Sequence, residues 1–308
     1  MTPTAGGPRS RWSDLDRPPL NAAALRRALV RPDGPWTRLD VVESTGSTNA
    51  DLIAAAHSGE APGRVLVAEE QTAGRGRLGR GWSAPPRSGL FFSVLLAPQP
   101  GATVPETRWG WLPLLAGVAT ASALSRIARV DTALKWPNDL LVDIAGEERK
   151  CGGILAERVG PPPDADGGFA TPAVVLGIGL NVSLRADELP VPGAGSLALA
   201  DAETTDRDPL LRAVLRSLGD WYDRWVAAGG DPAVSGLQEA YVAGCATLGR
   251  RVRAVLPGDT ELRGEAVALD GDGRLVVRTD DGVSHPVSAA DVVHLHGHGH
   301  GNGRLGGE

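Results

Sequence analysis

Between two segments predicted as strands, residues 69–82 read Glu-Glu-Gln-Thr-Ala-Gly-Arg-Gly-Arg-Leu-Gly-Arg-Gly-Trp. Glycines let a backbone approach a ligand closely, and the interleaved arginines carry planar guanidinium groups that match phosphate and carboxylate oxygens. This combination predicts a loop that closes over a polyphosphate or an acyl phosphate. A solvated Arg-Gly loop and an RNA-binding Arg-Gly segment are the alternatives. The stretch lacks the Lys-Ser/Thr ending of a P-loop and the helix of a dinucleotide-binding motif.

Two further segments place charged and amide groups at strand ends. Residues 135–139 read Lys-Trp-Pro-Asn-Asp, in which Asn138 and Asp139 offer an amide and a carboxylate where two strands meet. These groups suit a ribose, an amine or a water bound to Mg²⁺, and an Asx turn beside a packed tryptophan is the alternative. Residues 150–157 read Lys-Cys-Gly-Gly-Ile-Leu-Ala-Glu. Lys150 could bridge an acyl carboxylate and an α-phosphate, or be an ordinary charge at a strand end.

Two more segments combine small and polar residues. Residues 177–182 read Gly-Ile-Gly-Leu-Asn-Val, so the glycines leave room for a flat ligand or a neighbouring backbone and Asn181 offers an amide oxygen. A tightly packed β-bulge is the alternative. Residues 44–49 read Ser-Thr-Gly-Ser-Thr-Asn and open a helix, where hydroxyls and free N–H groups can hold a polar ligand head. A plain N-cap explains Ser47 or Thr48 equally well.

The pattern of apolar residues around these segments predicts a large domain followed by a small one. Strands are expected at residues 38–43, 64–69, 90–96, 132–136, 139–142, 150–158 and 173–182, and helices at 47–57, 111–127 and 207–227, with a short helix within 20–30. Residues 159–172 are rich in Pro, Gly and Asp and predict a loop. Short strands at 252–256, 262–269, 275–279 and 283–287, separated by turn signals, predict a small all-β domain.

The bulk composition restricts the class of protein. The chain has 308 residues, 42% of them apolar, which is enough for one large core and a smaller one. The formal net charge of −6 argues against general nucleic-acid binding. Cys151 and Cys245 show no metal-ligand spacing and predict two reduced thiols. Neither a bilayer-spanning segment nor a secretory signal is visible, so a cytoplasmic protein is expected.

Taken together and in this order, the segments resemble the catalytic domain of the biotin–protein ligases, over residues 39–227. The resemblance implies an α+β fold: a class II aminoacyl-tRNA synthetase-like catalytic domain, with a mixed and largely antiparallel sheet and helices, at residues 37–243, and a small SH3-like β-barrel domain at 244–296. Residues 1–36 are expected to form a partly disordered extension, and 297–308 a disordered His/Gly tail. Because the first 36 residues show no two-helix pattern, a monofunctional ligase without the DNA-binding domain is expected.

The resemblance also implies a role for each site residue. Ser47, Thr48 and Gln71 would hold the ureido head of biotin, the arginine loop would order over biotin and the adenylate, and Lys150 would contact the biotin carboxylate and the α-phosphate. The residues implied in catalysis are Lys150, Arg75, Arg77 and Asp139. Those implied in substrate binding are Ser47, Thr48, Asn49, Gln71, Gly74, Gly76, Gly153, Gly177 and Gly179, and those on the nucleotide side are Trp82, Lys135, Asn138 and Asn181.

The implied reaction joins biotin and ATP into biotinyl-5′-AMP with Mg²⁺, and then passes biotin to a lysine of the biotin carboxyl carrier domain of a carboxylase. Asp139 is a candidate to position that lysine or accept its proton. No protein-held metal site, nucleic-acid partner or membrane partner is expected, and the chain would be a monomer or a ligand-dependent homodimer. A lipoate– or octanoate–protein ligase and a non-catalytic biotin sensor are the competing hypotheses.

Overall fold

The computed structural model describes residues 17–98, 104–160, 172–256, 260–288 and 290–295. The large domain is built on a seven-stranded sheet whose strands are β1 (Arg38–Val42), β2 (Arg64–Ala68), β5 (Gly89–Leu96), β6 (Thr132–Lys135), β7 (Asp139–Ile144), β8 (Glu147–Val159) and β9 (Ala173–Asn181). Their order in the sheet is β1-β2-β5-β9-β8-β7-β6. β1 and β2 pair in parallel and every other neighbouring pair in this sheet is antiparallel.

Helices cover the two faces of this sheet unequally. The helices are α1 (Ala22–Leu29), α2 (Thr48–His57), α3 (Trp111–Ala128), α4 (Arg207–Ala227) and α5 (Leu237–Gly244). One face carries Leu176, Ile178 and Leu180, which join the main core with α3 and α4. The other face carries Val175, which packs with Leu52 of α2 in a second, smaller cluster. Because side chains alternate along a strand, Gly177 and Gly179 share the face of Val175, and Asn49 of α2 lies directly over Gly177.

The long apolar helix belongs to the core. The segment Glu106–Ala128 is long and apolar enough to cross a bilayer by length and composition, but 67% of its most apolar window is buried inside the molecule. Trp111, Leu115 and Leu124 of α3 are all fully buried. Trp225 of α4 is buried in the same cluster, whereas Trp221 is only partly buried against it. The helical spacing at residues 207–227 thus places both α4 tryptophans against the main core.

Residues 17–36 pack on the large domain rather than standing apart from it. Leu25 and Leu29 of α1 and Trp36 are buried in the main core. The indole of Trp36 donates a hydrogen bond to the carbonyl of Leu215, 2.9 Å away. The predicted division at residue 36 is therefore not a packing boundary, because apolar residues on both sides of it share one core. Residues 1–16 lie outside the described residues.

The small domain is a five-stranded antiparallel sheet. Its strands are β10 (Arg251–Val255), β11 (Glu261–Leu269), β12 (Leu275–Arg278), β13 (Ser284–Val287) and β14 (Asp291–His294), in the order β13-β12-β11-β10-β14. It is joined firmly to the large domain, because the indoles of Trp111 and Trp136 donate to the carbonyls of Gly271 and Gly273 at 2.9 and 3.0 Å. β14 and α5 were not predicted from sequence. The predicted His/Gly tail and most of the predicted 159–172 loop lie outside the described residues.

Candidate active site

A cleft of about 1340 Å³ lies over the glycine-bearing face of the large sheet and reaches the small domain. Every residue predicted for the site except Gly74 lines it. The sequence predictions thus come from five separate segments that the fold brings to one place. Further lining residues, outside the predicted set, are Arg80, Gly81, Ser83, Phe92, Leu141, Asp143, Gly146, Glu147, Glu148, Ile154, Leu155, Ile178, Pro190, Val191, Gly193, Ala194, Arg250, Val293 and His294.

One end of the cleft is polar and uncharged. Ser47 caps α2, where its hydroxyl accepts from the N–H of Ala50, so the N-cap alternative holds for this residue. Thr48 donates its backbone N–H to the side-chain oxygen of Gln71 at 2.8 Å, and its hydroxyl lies 3.1 Å from the same oxygen. Ser47 and Thr48 are both less than 5% exposed. This end therefore presents a fixed set of hydrogen-bonding groups rather than a mobile surface.

The predicted arginine loop forms a small hairpin across the cleft. Its two strands are β3 (Gly74–Arg75) and β4 (Gly81–Trp82), and Gly74 pairs directly with Trp82. A Cβ on Gly74 would come within 2.5 Å of the Trp82 carbonyl oxygen, so this glycine permits the pairing instead of lining the cleft. At the tip, Leu78 adopts φ 56° and is 72% exposed.

The indole of Trp82 covers the glycine-bearing strands. A Cβ on Gly179 would lie 2.9 Å from Trp82 Cε2, and one on Gly153 would lie 3.1 Å from Trp82 Cζ3. The space beside these glycines, which the sequence predicts for a flat ligand or a neighbouring backbone, is therefore occupied by the indole of Trp82. The Nε1 of Trp82 is buried and finds no hydrogen-bond partner among the described residues.

The opposite end of the cleft is charged. Lys150 Nζ lies 2.6 Å from Asp139 Oδ1 and 5.8 Å from the centroid of the Trp82 ring. Arg77 donates to Asn138 Oδ1 at 3.3 Å, and Asn138 Nδ2 donates to the Ile154 carbonyl at 2.9 Å. Burial lowers the pKa of Arg77, and the charges of Asp291 and Asp139 oppose that shift. Arginine remains charged at neutral pH, so this guanidinium is a partly desolvated cation.

Lys135 and Asn181 complete the predicted nucleotide side. Lys135 faces Asp139 across the β6–β7 hairpin and lines the cleft. Asn181 is buried and its amide nitrogen donates to the Gly195 carbonyl at 2.9 Å. The amide oxygen of Asn181 is the group that could serve a ligand.

The small domain contributes to the cleft through Arg250. Its guanidinium donates to both carboxylate oxygens of Glu148 at 2.7 and 2.6 Å and lies 3.2 Å from His294 Nδ1. The neighbouring Arg251 and Arg253 instead pair with acidic residues of their own domain. The arginine loop also contacts the small domain, because Arg80 lies 2.5 Å from Asp291. Spacing along the sequence cannot signal these contacts, since they join residues more than 100 positions apart.

The carboxylates of the cleft do not form a metal-binding cluster. Among the residues that the structure describes, no group of three or more His, Cys, Asp and Glu side chains could hold a metal ion. Mg²⁺ commonly keeps several waters and is bound by one or two carboxylates together with substrate phosphates. Asp139 fits that manner of binding, in which the metal enters with its nucleotide. Cys151 and Cys245 are both free thiols, as expected.

The fold and the cleft together define the class of protein to which the chain belongs. The cleft has a hydrogen-bonding end, a cationic end and a glycine-arginine hairpin between them, and the model of the biotin/lipoate A/B protein ligase family matches residues 41–180. The model of the biotin protein ligase C-terminal domain matches residues 247–295. The class is therefore that of ligases acting on biotin or lipoate.

Individual relatives narrow the class. The chain is 41% identical over 286 residues to a biotin–[acetyl-CoA-carboxylase] ligase of Mycobacterium tuberculosis, covering 92% of this chain and 98% of that protein. It is 33% identical to the enzyme of the same name from Paracoccus denitrificans, covering 80% and 97%. A structure of the Aquifex aeolicus biotin protein ligase in complex with biotin and ATP matches with a TM-score of 0.66 at 26% identity, covering 84% of this chain and 100% of that one. The chain belongs to the biotin protein ligase family, and the expected enzyme class and fold class are confirmed.

Proposed function

We propose that this ligase activates biotin with ATP, forming biotinyl-5′-AMP and pyrophosphate, and then transfers biotin to a lysine of a carrier domain. The observation that carries the proposal is the division of one cleft into two chemically different ends. Thr48 and Gln71 offer hydrogen bonds at the uncharged end. Lys150, Arg77 and Lys135 supply cations at the other end. An acid with a polar, uncharged head fits this arrangement with its carboxylate toward the cations.

The cations of the cleft can supply the charge neutralisation that the first half-reaction requires. The carboxylate oxygen of biotin attacks the α-phosphorus of ATP, the bond to the β-phosphate oxygen breaks, and pyrophosphate leaves. Two anions must meet, so positively charged groups have to neutralise them while the reacting atoms are held in line. Lys150 is placed for this because it lines the cleft, with its ammonium nitrogen 5.8 Å from the centroid of the Trp82 ring. Mg²⁺, carried in by the ATP phosphates, would neutralise further charge on them.

The arginine loop supports the proposal through its position. Arg75 and Arg77 both line the cleft, and the hairpin that carries them bridges to Asp291 of the small domain through Arg80. A loop in this position can exclude water once both substrates are bound. Exclusion matters because the mixed anhydride between biotin and AMP is hydrolysable.

The second half-reaction requires a neutral amine. The carrier's lysine nitrogen attacks the acyl carbon of biotinyl-AMP, an amide bond forms, AMP leaves and a proton must be removed. Asp139 is the proposed group that positions this amine or accepts its proton, because its carboxylate lies at the charged end beside Lys150. Asp139→Asn should slow transfer from purified biotinyl-AMP more than it slows pyrophosphate release. An unchanged rate in both half-reactions would remove Asp139 from the mechanism.

Several wider features belong to the same proposal. The carrier partner is the biotin carboxyl carrier domain of a carboxylase, and the enzyme acts in the cytoplasm as a monomer or a ligand-dependent homodimer. The proposed catalytic domain spans residues 37–243, with residues 17–36 packed on it, and the SH3-like domain spans 244–296.

The direct test is pyrophosphate release from ATP and Mg²⁺ with biotin, lipoate or octanoate offered separately. Release with biotin alone, followed by transfer of labelled biotin to a carrier domain, is the expected outcome. Release with lipoate or octanoate would assign the protein to the other branch of its class. Tight binding of biotin without any release would indicate a sensor.

A further inference from the structure

The loop at residues 182–195, which follows β9, forms one wall of the charged end of the cleft. The backbone N–H of Lys150 donates to the Gly193 carbonyl at 2.9 Å, and the N–H of Gly195 donates to the Lys150 carbonyl at 2.8 Å. Because these bonds join the loop to Lys150, the position of the loop and the shape of the charged end depend on each other. The loop residues that line the cleft are Pro190, Val191, Gly193 and Ala194.

Near its start, the same loop is held by Arg17, which lies 166 positions before Ser183 in the chain. Arg17 Nε donates to the Ser183 hydroxyl at 3.2 Å, and Nη2 donates to the Ser183 carbonyl at 2.8 Å. The guanidinium also forms a two-pronged ion pair with Glu188, in which Nη1 donates to Oε1 at 3.1 Å and Nη2 donates to Oε2. A guanidinium presents its donors in a fixed planar fork, so these bonds set both the distance and the orientation of the two loop residues.

The ion pair of Arg17 with Glu188 is poorly screened by water, since the two side chains are only 12% and 18% exposed. Hydrogen bonding from Arg17 lowers the pKa of Glu188 to about 2, so this carboxylate is ionised at neutral pH. It also accepts from the backbone N–H of Arg185 at 2.9 Å, beside the 3₁₀ turn Ala186–Glu188. One carboxylate therefore joins Arg17 to the turn that leads into the cleft-lining part of the loop.

The backbone next to Arg17 is fixed independently of these bonds. The Pro18 carbonyl accepts from Arg207 Nη2 at 2.6 Å, and the Leu20 N–H donates to Glu69 Oε1 at 2.6 Å. Arg207 and Glu69 are themselves a buried ion pair. The segment should therefore stay anchored when the Arg17 side chain is changed, so a substitution there tests the hold of that side chain on the loop.

We propose that Arg17 is a positioning residue that holds the 182–195 loop in the arrangement that binds the nucleotide. Arg17 does not line the cleft, so it acts through Ser183 and Glu188. The part of the chain that precedes the proposed catalytic domain thereby contributes to ATP binding. This inference rests on the proposed activation of biotin by ATP.

Arg17→Gln tests the proposal by removing the cation and its fork of donors. Without the ion pair, a smaller fraction of molecules has the loop in the binding arrangement, and the apparent affinity for ATP falls by that fraction. We expect the ATP concentration that gives half-maximal pyrophosphate release in a single turnover to rise about tenfold. Saturating ATP selects the binding arrangement, so the maximal rate and the half-saturating concentration of biotin should stay within about twofold of the original.

Glu188→Gln provides a second variant, from the other side of the same ion pair. It removes the charge and keeps an oxygen that can accept from the N–H of Arg185. It should also raise the half-saturating concentration of ATP, and the double variant should be no worse than Arg17→Gln alone, because the two changes break one ion pair. Additive effects would overturn the proposal, as would an unchanged half-saturating concentration of ATP in both single variants.

Arg26→Gln is the matched control, because Arg26 precedes the same domain and pairs with Asp40 of β1, at 3.6 Å. It should leave the half-saturating concentration of ATP unchanged. If Arg17→Gln lowers the midpoint of thermal unfolding but leaves ATP saturation unchanged, Arg17 serves stability alone and the proposal is wrong. An equal rise for ATP and biotin would also contradict it. Absence of biotin-dependent pyrophosphate release from the unaltered protein would instead refute the proposed function itself.

Discussion

Replacing Lys150 by glutamine removes the cation at the charged end of the cleft while keeping a side chain of similar length. Two unit charges about 4 Å apart, at an effective dielectric constant of about 20, interact by roughly 4 kcal/mol. The Lys150 side chain is 36% exposed, so water screens part of this interaction. About half of it, roughly 2 kcal/mol, is expected to be lost from the transition state for adenylate formation, which corresponds to about a 30-fold lower rate.

The assay for Lys150→Gln is pyrophosphate release under single-turnover conditions, with thermal unfolding measured in parallel. The folded state should be little affected, because partly exposed ion pairs contribute about 0–1 kcal/mol. Asp139→Asn in the same chain should restore part of the rate of adenylate formation, since it removes a carboxylate that would otherwise face the phosphate without its partner. Arg263→Gln, on the surface of the small domain, is the control. A Lys150→Gln rate within about threefold of the original would refute the electrostatic role.

Three further predictions concern the ion pair of Arg207 with Glu69, the contact of Gly179 with Trp82, and the thiol of Cys151. Arg207→Met should lower the free energy of unfolding, measured by urea denaturation, by about 3–5 kcal/mol. The reason is that it leaves the buried Glu69 carboxylate, 2.6 Å from the guanidinium, without its cation. Glu69→Leu in the same chain should recover much of the lost stability. Gly179→Ala should raise the KM for ATP roughly tenfold, because the new methyl group would lie 2.9 Å from Trp82 Cε2 and displace the indole; an unchanged KM would show that the ring is free to move. Burial raises the pKa of Cys151 from 9.0 to about 12, so the folded thiol keeps its proton after the unfolded one loses it. The stability contributed by that thiol is intact below pH 9.0 and is lost as pH rises from there toward about 12, by up to ~1.4 kcal/mol per pH unit, and Cys151→Ala should not show this part of the slope.

The local pattern of apolar residues was sufficient to predict most of the strands and helices of the large domain. The apolar run at residues 90–96 and the helical spacing at 207–227 correspond to β5 and α4 within one residue at each end. These elements are long and strongly periodic, so their burial and their local pattern agree. β14 and α5 were missed because each is short and is held in place by a partner distant in the sequence. β14 pairs with β10, and α5 packs against α3. The packing of residues 17–36 was missed for the same reason.

For the site, the sequence alone predicted the five segments that line the cleft, because glycines that let a backbone approach a ligand stand there together with arginine, lysine and amide side chains. It could not determine how those segments act on one another. The hydrogen bond from Asn49 to Glu157, the contact of Trp82 with Gly179, and the ion pair of Lys150 with Asp139 all join residues of different helices and strands. Each depends on distances of about 3 Å between groups that only the folded sheet brings together, which no spacing along a chain encodes.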